Sequence, residues 1–462
     1  MSQPTLRIAV IGAGPAGIYA SDLLVKNAAS IGREIHVDLI EKMPAPFGLI
    51  RYGVAPDHPR IKGIITSLHR VLDRPEIRLL GNIEIGRDVT VEELREHYDA
   101  VIFATGAIAD RDLDIPGVDA HGSFGAADFV GFYDGHPDFP RTWDLSAQSV
   151  AVIGVGNVGL DVARVLSKTA EELNVTEIPD NVYETLRTNQ ATQVHVFGRR
   201  GPAQAKFTPQ ELKELDHSPT VNVVVDPEDI DYDDASIEAR GASKSQDLVC
   251  QILEGYAIRE PEEAPHTLQI HLFESPTEIL THDGRVVGLR TERTELDGTG
   301  HVRGTGTFTD WPVQAVYRAV GYRSEPVPGV PFNHVEHVIP NDGGHVLDPA
   351  GTPVPGLYAT GWIKRGPVGL IGNTKSDAKE TTDLLLADAA AGRLSAPVHS
   401  ADAFLQLLDA RAIPVTTWEG WYRLDAAERA LGEASGVEGR ERKKIVEWEE
   451  MVSHAHITPA YV

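Results

Sequence analysis

Two stretches of this chain carry the same unusual pattern. Arg7-Ile-Ala-Val-Ile-Gly-Ala-Gly-Pro-Ala-Gly17 and Ser149-Val-Ala-Val-Ile-Gly-Val-Gly-Asn-Val-Gly159 each run an apolar strand into Gly-x-Gly-x-x-Gly and then into a helical pattern. A lone glycine-rich turn says little, but two copies in strand–turn–helix context point strongly to dinucleotide binding. The first glycine makes the tight turn, the second lets the backbone approach a pyrophosphate, and the third lets helix and strand pack closely. Backbone N–H groups at the helix N-terminus then face the phosphate charge. Gly12, Gly14, Ala16 and Gly17 belong to the first copy, Gly156, Asn157 and Val158 to the second. The helices are expected over 18–26 and 160–173.

The strand that follows each turn indicates what it holds. Ile35-His-Val-Asp-Leu-Ile40 reads as a buried strand ending at Glu41. A carboxylate there accepts hydrogen bonds from ribose hydroxyls and repels a 2′-phosphate, so the first site suits the adenosine of FAD or NAD. Gln193-Val-His-Val-Phe197 runs instead into Gly198-Arg-Arg-Gly201. Two adjacent guanidinium groups, Arg199 and Arg200, suit the charge-assisted bidentate contacts of a 2′-phosphate, so the second site suits NADP. The longer spacing before Arg199 predicts a helical insertion near 174–187. Opposite ribose preferences imply that electrons pass between a tightly held flavin and a diffusible nicotinamide. Such a chain is an enzyme.

Tyr98-Asp-Ala-Val-Ile-Phe-Ala-Thr-Gly106 reads as a buried strand ending in a turn of small residues, and Gly356-Leu-Tyr-Ala-Thr-Gly361 repeats it. Such turns let a chain pass close to a cofactor. The expected fold class is α/β, with two Rossmann-like domains and the NADP domain inserted into a discontinuous FAD domain: 1–107, 108–325 and 326–462. The boundaries follow clusters of Gly and Pro. Near the end, helical patterns bring Phe404, Leu407 and Leu408 onto one face, then Leu424, Ala427 and Leu431.

Composition narrows the chemistry. With 462 residues the chain has room for two or three domains. The single cysteine, Cys250, rules out a dithiol pair, an iron–sulfur cluster or a Cys-rich zinc site within the chain, and reads as a small buried hydrophobe. Against 42 basic residues stand 68 acidic ones, a net charge of −26. Nucleic acid is therefore an unfavourable partner. No apolar run reaches membrane-spanning length, and the short lead before the first strand suggests a cytoplasmic protein. The acidic run 226–234 is expected to be a solvated loop or helix start, and His454 and His456 to form a tail. No His-Glu-x-x-His or EF-hand spacing occurs, so no metal is expected.

Three segments together resemble one family: Pro44-Ala-Pro-Phe-Gly-Leu-Ile-Arg-Tyr-Gly-Val-Ala-Pro-Asp-His-Pro-Arg-Ile-Lys62, Gly361-Trp-Ile-Lys-Arg-Gly-Pro-Val-Gly-Leu-Ile-Gly372, and the Gly-Arg-Arg-Gly loop. They are similar to the adrenodoxin-reductase type of ferredoxin–NADP⁺ reductase in its bacterial form. The likeness runs over about 6–450 and is poorest over 225–310. It implies FAD contacts from Ala16, Glu41, Leu49 and Ile85, with Trp362 and the turn Gly369, Leu370 and Ile371 near the isoalloxazine ring. It implies NADP contacts from Arg111, Gly156, Asn157, Val158, Arg199, Arg200, Glu211 and Gly369. Trp362 follows the second Ala-Thr-Gly where most related flavoprotein reductases place an acid. Gly159 stands where an alanine is also common.

Hydride transfer needs two rings held face to face with water excluded, and no nucleophile or metal. The catalytic candidates are therefore few: His58, Glu214 and Asp161. His58 lies in a loop stiffened by prolines and could relay a proton, or simply bond a backbone carbonyl. Glu211 and Glu214 share a helix face, Glu211 toward the nucleotide and Glu214 near the hydride path, or both solvated. Asp161 sits in a first helical turn, where a carboxylate suits the dipole in any case.

A reduced flavin must discharge to an external acceptor. An acidic ferredoxin is expected, docking on a local basic patch drawn from Arg51, Arg60, Lys62, Arg240, Lys244, Lys364 and Arg365. Reduction of a quinone or dye-like acceptor, or a slow redox sensor, are the alternatives. Nothing demands more than a monomer or weak oligomer.

Overall fold

A computed structural model describes residues 4–260, 263–369 and 371–459, without the side chains of Arg60 and Ile371. Leu370 and those two side chains lie outside the described residues. The chain forms two compact units, 1–109 with 322–462, and 110–321. The first boundary falls two residues later, and the second four residues earlier, than the Gly and Pro clusters suggest.

The first unit is built on a seven-stranded sheet. Leu6–Ile11 lies at its centre, flanked by Ile35–Ile40 and Ala100–Phe103, with Ile77–Leu80 and Pro353–Ala359 outside them, all parallel. Two short antiparallel strands, His345–Leu347 and Asn341–Asp342, complete one edge. Parallel strands are buried on both faces, and the central strand shows it. Leu6, Ile8 and Val10 enter one apolar cluster, and Ala9 and Ile11 enter another. The C-terminal helices cover opposite faces. Helix Ala403–Ala410 brings Phe404 and Leu408 to the second cluster, and helix Trp418–Ala434 brings Trp421 and Leu424 to the first.

The second unit repeats the plan. Ser149–Ile153 lies between Gln193–Phe197 and Ala315–Arg318 in a six-stranded sheet, with His266–His271, Val221–Val225 and Ser123–Gly125 outside them. In both sheets the strand that enters the glycine turn has its successor on one side and a much later strand on the other. That reversal of strand order opens a crevice at the carboxyl ends of the strands.

Several expectations change. The second fingerprint helix ends at Ser167, not Leu173, because Thr169 and Glu172 form a capping box that starts a separate helix, Ala170–Asn174. A further helix, Asp180–Leu186, completes the insertion. Residues 274–311 form a three-stranded antiparallel sheet, Glu274–His282, Arg285–Leu296 and Val302–Trp311, that the sequence did not announce. The acidic run 226–234 is not wholly solvated: Asp229 is buried and accepts hydrogen bonds from the Leu272 N–H at 2.8 Å and from Arg293 at 2.5 Å. His456 is no tail either, since its Nδ1 lies 2.7 Å from the Val415 oxygen and its residue bridges Thr416.

Candidate functional site

Each glycine turn shows the same threefold division. Gly12 has φ +107°, and a Cβ there would lie 2.5 Å from the Ala104 oxygen. A Cβ on Gly17 would lie 1.9 Å from the Gly12 oxygen, whereas one on Gly14 would approach nothing closer than the Gly48 Cα at 3.9 Å. In the second copy, Gly154 has φ +131°, and a Cβ would lie 2.2 Å from the Ala319 oxygen. A Cβ on Gly159 would lie 2.3 Å from the Gly154 oxygen, and one on Gly156 would meet nothing within 4 Å. The outer glycines are thus required by the chain's own packing. The middle ones are required by no neighbour and border open space. Helices Pro15–Asn27 and Asn157–Ser167 start at those middle glycines with no side-chain cap and no acid in the first turn. Their N–H groups and positive poles are left to an anion.

The first cleft is closed by its own neighbours. Glu41 is buried, and its oxygens accept the Ala13 N–H at 2.6 Å and the Met43 N–H at 3.0 Å. Burial raises its pKa, with those backbone donors working the other way. A carboxylate has about four acceptor positions, so it braces the turn and keeps capacity for ribose hydroxyls. Phe47, in the left-handed region at φ 86°, donates its N–H to the Ala13 oxygen at 2.8 Å. Its ring stacks on His69 at 5.4 Å and meets Trp421 edge-on at 5.2 Å. Leu49 opens the short helix Leu49–Tyr52, Ile85 is buried, and His58 is buried at the start of Pro59–Lys62.

Both Ala-Thr-Gly turns converge on the first fingerprint. The Ala104 oxygen faces Gly12, and Gly361, at φ +74°, lies so near helix Pro15–Asn27 that a Cβ would come within 2.7 Å of the Ala16 Cβ. A residue that sequence reasoning missed, Asp377, fixes the second turn. It accepts hydrogen bonds from Thr360 Oγ1 at 3.0 Å and the Gly361 N–H at 2.5 Å, with Lys364 Nζ at 3.0 Å. Trp362 follows directly, half-buried, 6.2 Å from the Tyr322 ring. Gly369 is exposed at φ +89°.

In the second cleft Arg199 is exposed and Arg200 half-buried. Among the described residues neither side chain pairs with a carboxylate, although this chain's other arginines are mostly engaged by acids. Burial, and then the charge of Arg199, lowers the pKa of Arg200. The antiparallel sheet frames the pair: Thr294 Oγ1 donates to the Arg199 oxygen at 2.8 Å, and a Cβ on Gly201 would lie 2.4 Å from the Phe273 ring. Asn157 Oδ1 accepts the Thr208 N–H at 2.8 Å. Arg111 is exposed, its N–H bonded to the Gly321 oxygen at 2.9 Å.

Glu211 and Glu214 share helix Pro209–Glu214 but not an environment. Glu211 is buried, while Glu214 is half-exposed and accepts from Gln210 at 3.1 Å. Asp161 is also buried, and because its helix opens at Asn157 rather than Leu160 it lies beyond the first turn, where the dipole argument expected it. Arg164 Nη2 donates to its Oδ1 at 2.9 Å, and Arg164 Nη1 lies 3.9 Å from Glu211 Oε2. Arg164, another residue not foreseen, therefore links two of the acids; its signal in sequence was the Asp–Arg spacing of one helical turn.

Of the expected docking cations, Arg51 and Lys364 are buried and ion-paired rather than on a surface. Arg240 is paired with Asp247 and Glu254, and Arg365 with Asp377 and Glu380. Lys62 is half-buried and Lys244 exposed.

Residues 6–196 match the pyridine nucleotide-disulphide oxidoreductase family. The chain is 41% identical over 457 residues to the NADPH-ferredoxin reductase FprA of Mycobacterium tuberculosis, covering 96% of this chain and 98% of that one. It is 38% identical over 466 residues to the mitochondrial NADPH:adrenodoxin oxidoreductase of Homo sapiens, covering 97% and 92%. The solved structure of Mycobacterium tuberculosis FprA in complex with NADPH superposes with a TM-score of 0.89 at 40% identity, covering 98% and 99% of the two chains.

Proposed function

This chain belongs to the family of NADPH-ferredoxin and adrenodoxin reductases, and we propose that its two glycine clefts divide the work of that family between FAD and NADPH. It is an FAD-dependent oxidoreductase that moves electrons between NADPH and an iron–sulfur protein. The observation that carries the division is the contrast at the ribose positions. Buried Glu41 braces the first turn, and Arg199 and Arg200, which pair with no carboxylate among the described residues, follow the second. Unit 1 is then the FAD-binding unit and unit 2 the NADP-binding unit.

Bound FAD supplies the link between hydride chemistry and one-electron transfer. The chain's residues do the rest. The uncapped helix starts at Gly14 and Gly156 neutralise phosphate charge, Glu41 holds the adenosine ribose, and Asp377 keeps the Gly361–Trp362 turn against helix Pro15–Asn27. Asp161 and Glu211, joined by Arg164, keep polar groups ordered in the second cleft. Although the matched family is named for disulphides, this chain's single cysteine is buried, and burial pushes its thiol pKa up. That is the reverse of a reactive thiolate.

The partner is proposed to be acidic, met by exposed cations such as Lys244. A cytoplasmic location and a monomeric or weakly associating state belong to the same proposal; no described helix is long and apolar enough to cross a membrane.

The test is anaerobic. NADPH should bleach the flavin band at concentrations where NADH does little, and a ferredoxin should then be reduced at a rate that falls with rising ionic strength. Absence of bound flavin, or equal bleaching by both nucleotides, would overturn the assignment of the clefts. Salt-independent turnover with a ferredoxin would overturn the acidic partner.

A further inference from the structure

After the arginine pair, the chain returns to the second glycine turn. The Lys206 N–H donates to the Val155 oxygen at 2.8 Å, and an isolated parallel bridge joins Lys206 to Gly156. Two residues later the Thr208 N–H donates to Asn157 Oδ1 at 2.8 Å. The segment is thereby held beside the one glycine of this turn whose missing side chain leaves open space. Lys206 is exposed, and among the described residues no carboxylate pairs with it. In a chain with 68 acidic against 42 basic residues, other lysines find acids readily, as Lys26 does with Asp22 and Lys379 with Asp383. The nearby helix start carries no acid in its first turn, and the buried acids of this cleft, Asp161 and Glu211, face Arg164.

We propose that Lys206 is a further phosphate-binding residue of this cleft, its ammonium meeting the pyrophosphate of the nicotinamide dinucleotide while Arg199 and Arg200 meet the 2′-phosphate. The inference rests on the reading of this unit as the NADPH-binding one. It assigns Lys206 a contact that NADPH and NADH share, because both carry the pyrophosphate. Lysine serves such a site as a compact, mobile point charge, where the planar arginine fork serves the terminal phosphate group.

The experiment uses the full-length, FAD-loaded protein and ferricyanide as acceptor, so that no protein partner enters. Lys206→Met should raise KM for NADPH roughly three- to twentyfold, the range of an exposed to partly shielded charged contact. KM for NADH should rise by the same factor, the effect should fall on KM rather than kcat, and the salt dependence of KM should flatten. Lys206→Arg should restore most of the loss. An NADPH KM within twofold of the parent would overturn the proposal, as would a loss confined to NADPH, which would move Lys206 to the 2′-phosphate. Arg200→Ala is the parallel variant. If it too leaves NADPH use untouched, the NADPH reading itself has failed; if it alone impairs NADPH, only the proposal for Lys206 has.

Discussion

Arg51 and Glu428, 377 residues apart, form a two-point ion pair almost wholly out of solvent. Arg51 Nη1 donates to Glu428 Oε2 at 3.0 Å, and a second bond joins the other nitrogen and oxygen. Lys444 Nζ donates to the Arg51 carbonyl at 2.5 Å, and the Ile445 N–H donates to Glu428 Oε1 at 3.1 Å. The C-terminal segment thus clamps the loop whose Phe47 and Gly48 face the first glycine turn. Glu428→Gln leaves a buried guanidinium without its counter-charge, a change that costs about 3–5 kcal/mol. Chemical denaturation should show that loss, and flavin should leave the variant at lower denaturant than the parent. A loss below about 1 kcal/mol, typical of an exposed pair, would show that the clamp is not structural.

The glycines of the second turn should respond in opposite ways. At Gly159 a methyl group would press on the Gly154 oxygen, so Gly159→Ala is expected to lower stability by about 1–3 kcal/mol, as overpacking does. The alanine admissible at this place in sequence is thus disfavoured in this chain. Gly156→Ala meets no protein atom within 4 Å, so it should keep its melting temperature and lose affinity for NADPH. Thermal melts beside nucleotide titrations separate the two; a Gly156→Ala protein that binds NADPH normally would empty that cleft of its assigned role.

Arg200→Ala should reduce NADPH use and leave NADH use nearly unchanged, because only the former carries a 2′-phosphate. Loss of one charge-assisted contact amounts to about 1.5–3 kcal/mol, so the ratio of kcat/KM for the two nucleotides should fall roughly ten- to a hundredfold. Equal losses with both nucleotides would contradict the 2′-phosphate assignment.

His271 makes the second unit sensitive to acid. It is buried between Phe197 at 4.8 Å and Trp311 at 4.3 Å, and its Nε2 lies 2.9 Å from His195 Nδ1. Burial, with the charges of His195 and Arg293, lowers its pKa to about 3. An unfolded histidine titrates near pH 6.5. Below that pH the unfolded chain takes up a proton that the folded one refuses, so this contribution to stability is present above pH 6.5 and is lost as pH falls toward 3. Buried Asp229 runs the other way: burial raises its pKa to about 6 against the pull of Arg293, so its contribution declines as pH rises from about 4 to 6. Comparing the parent with His271→Gln isolates the first effect. The variant's stability relative to the parent should improve steadily from pH 7 to pH 4; a constant difference would rule the histidine out as the acid-sensitive group.

What could be read from sequence alone were the features made by neighbours along the chain. The two strand–turn–helix units, the carboxylate at Glu41, the Arg199–Arg200 pair and the faces of the C-terminal helices all follow from periodicity or spacing, which local geometry dictates. The fold class followed from them, because two such units need parallel sheets with helices on both sides. Tertiary structure alone decided which charged groups meet. It buried Arg51 on Glu428 and Lys364 on Asp377, took Asp229 and Asp161 out of water, separated Glu211 from Glu214 by exposure, and brought Lys206 to Gly156. A charged side chain looks the same in sequence whether it is solvated or sealed in an ion pair. The difference is set by partners that only folding brings within 3 or 4 Å.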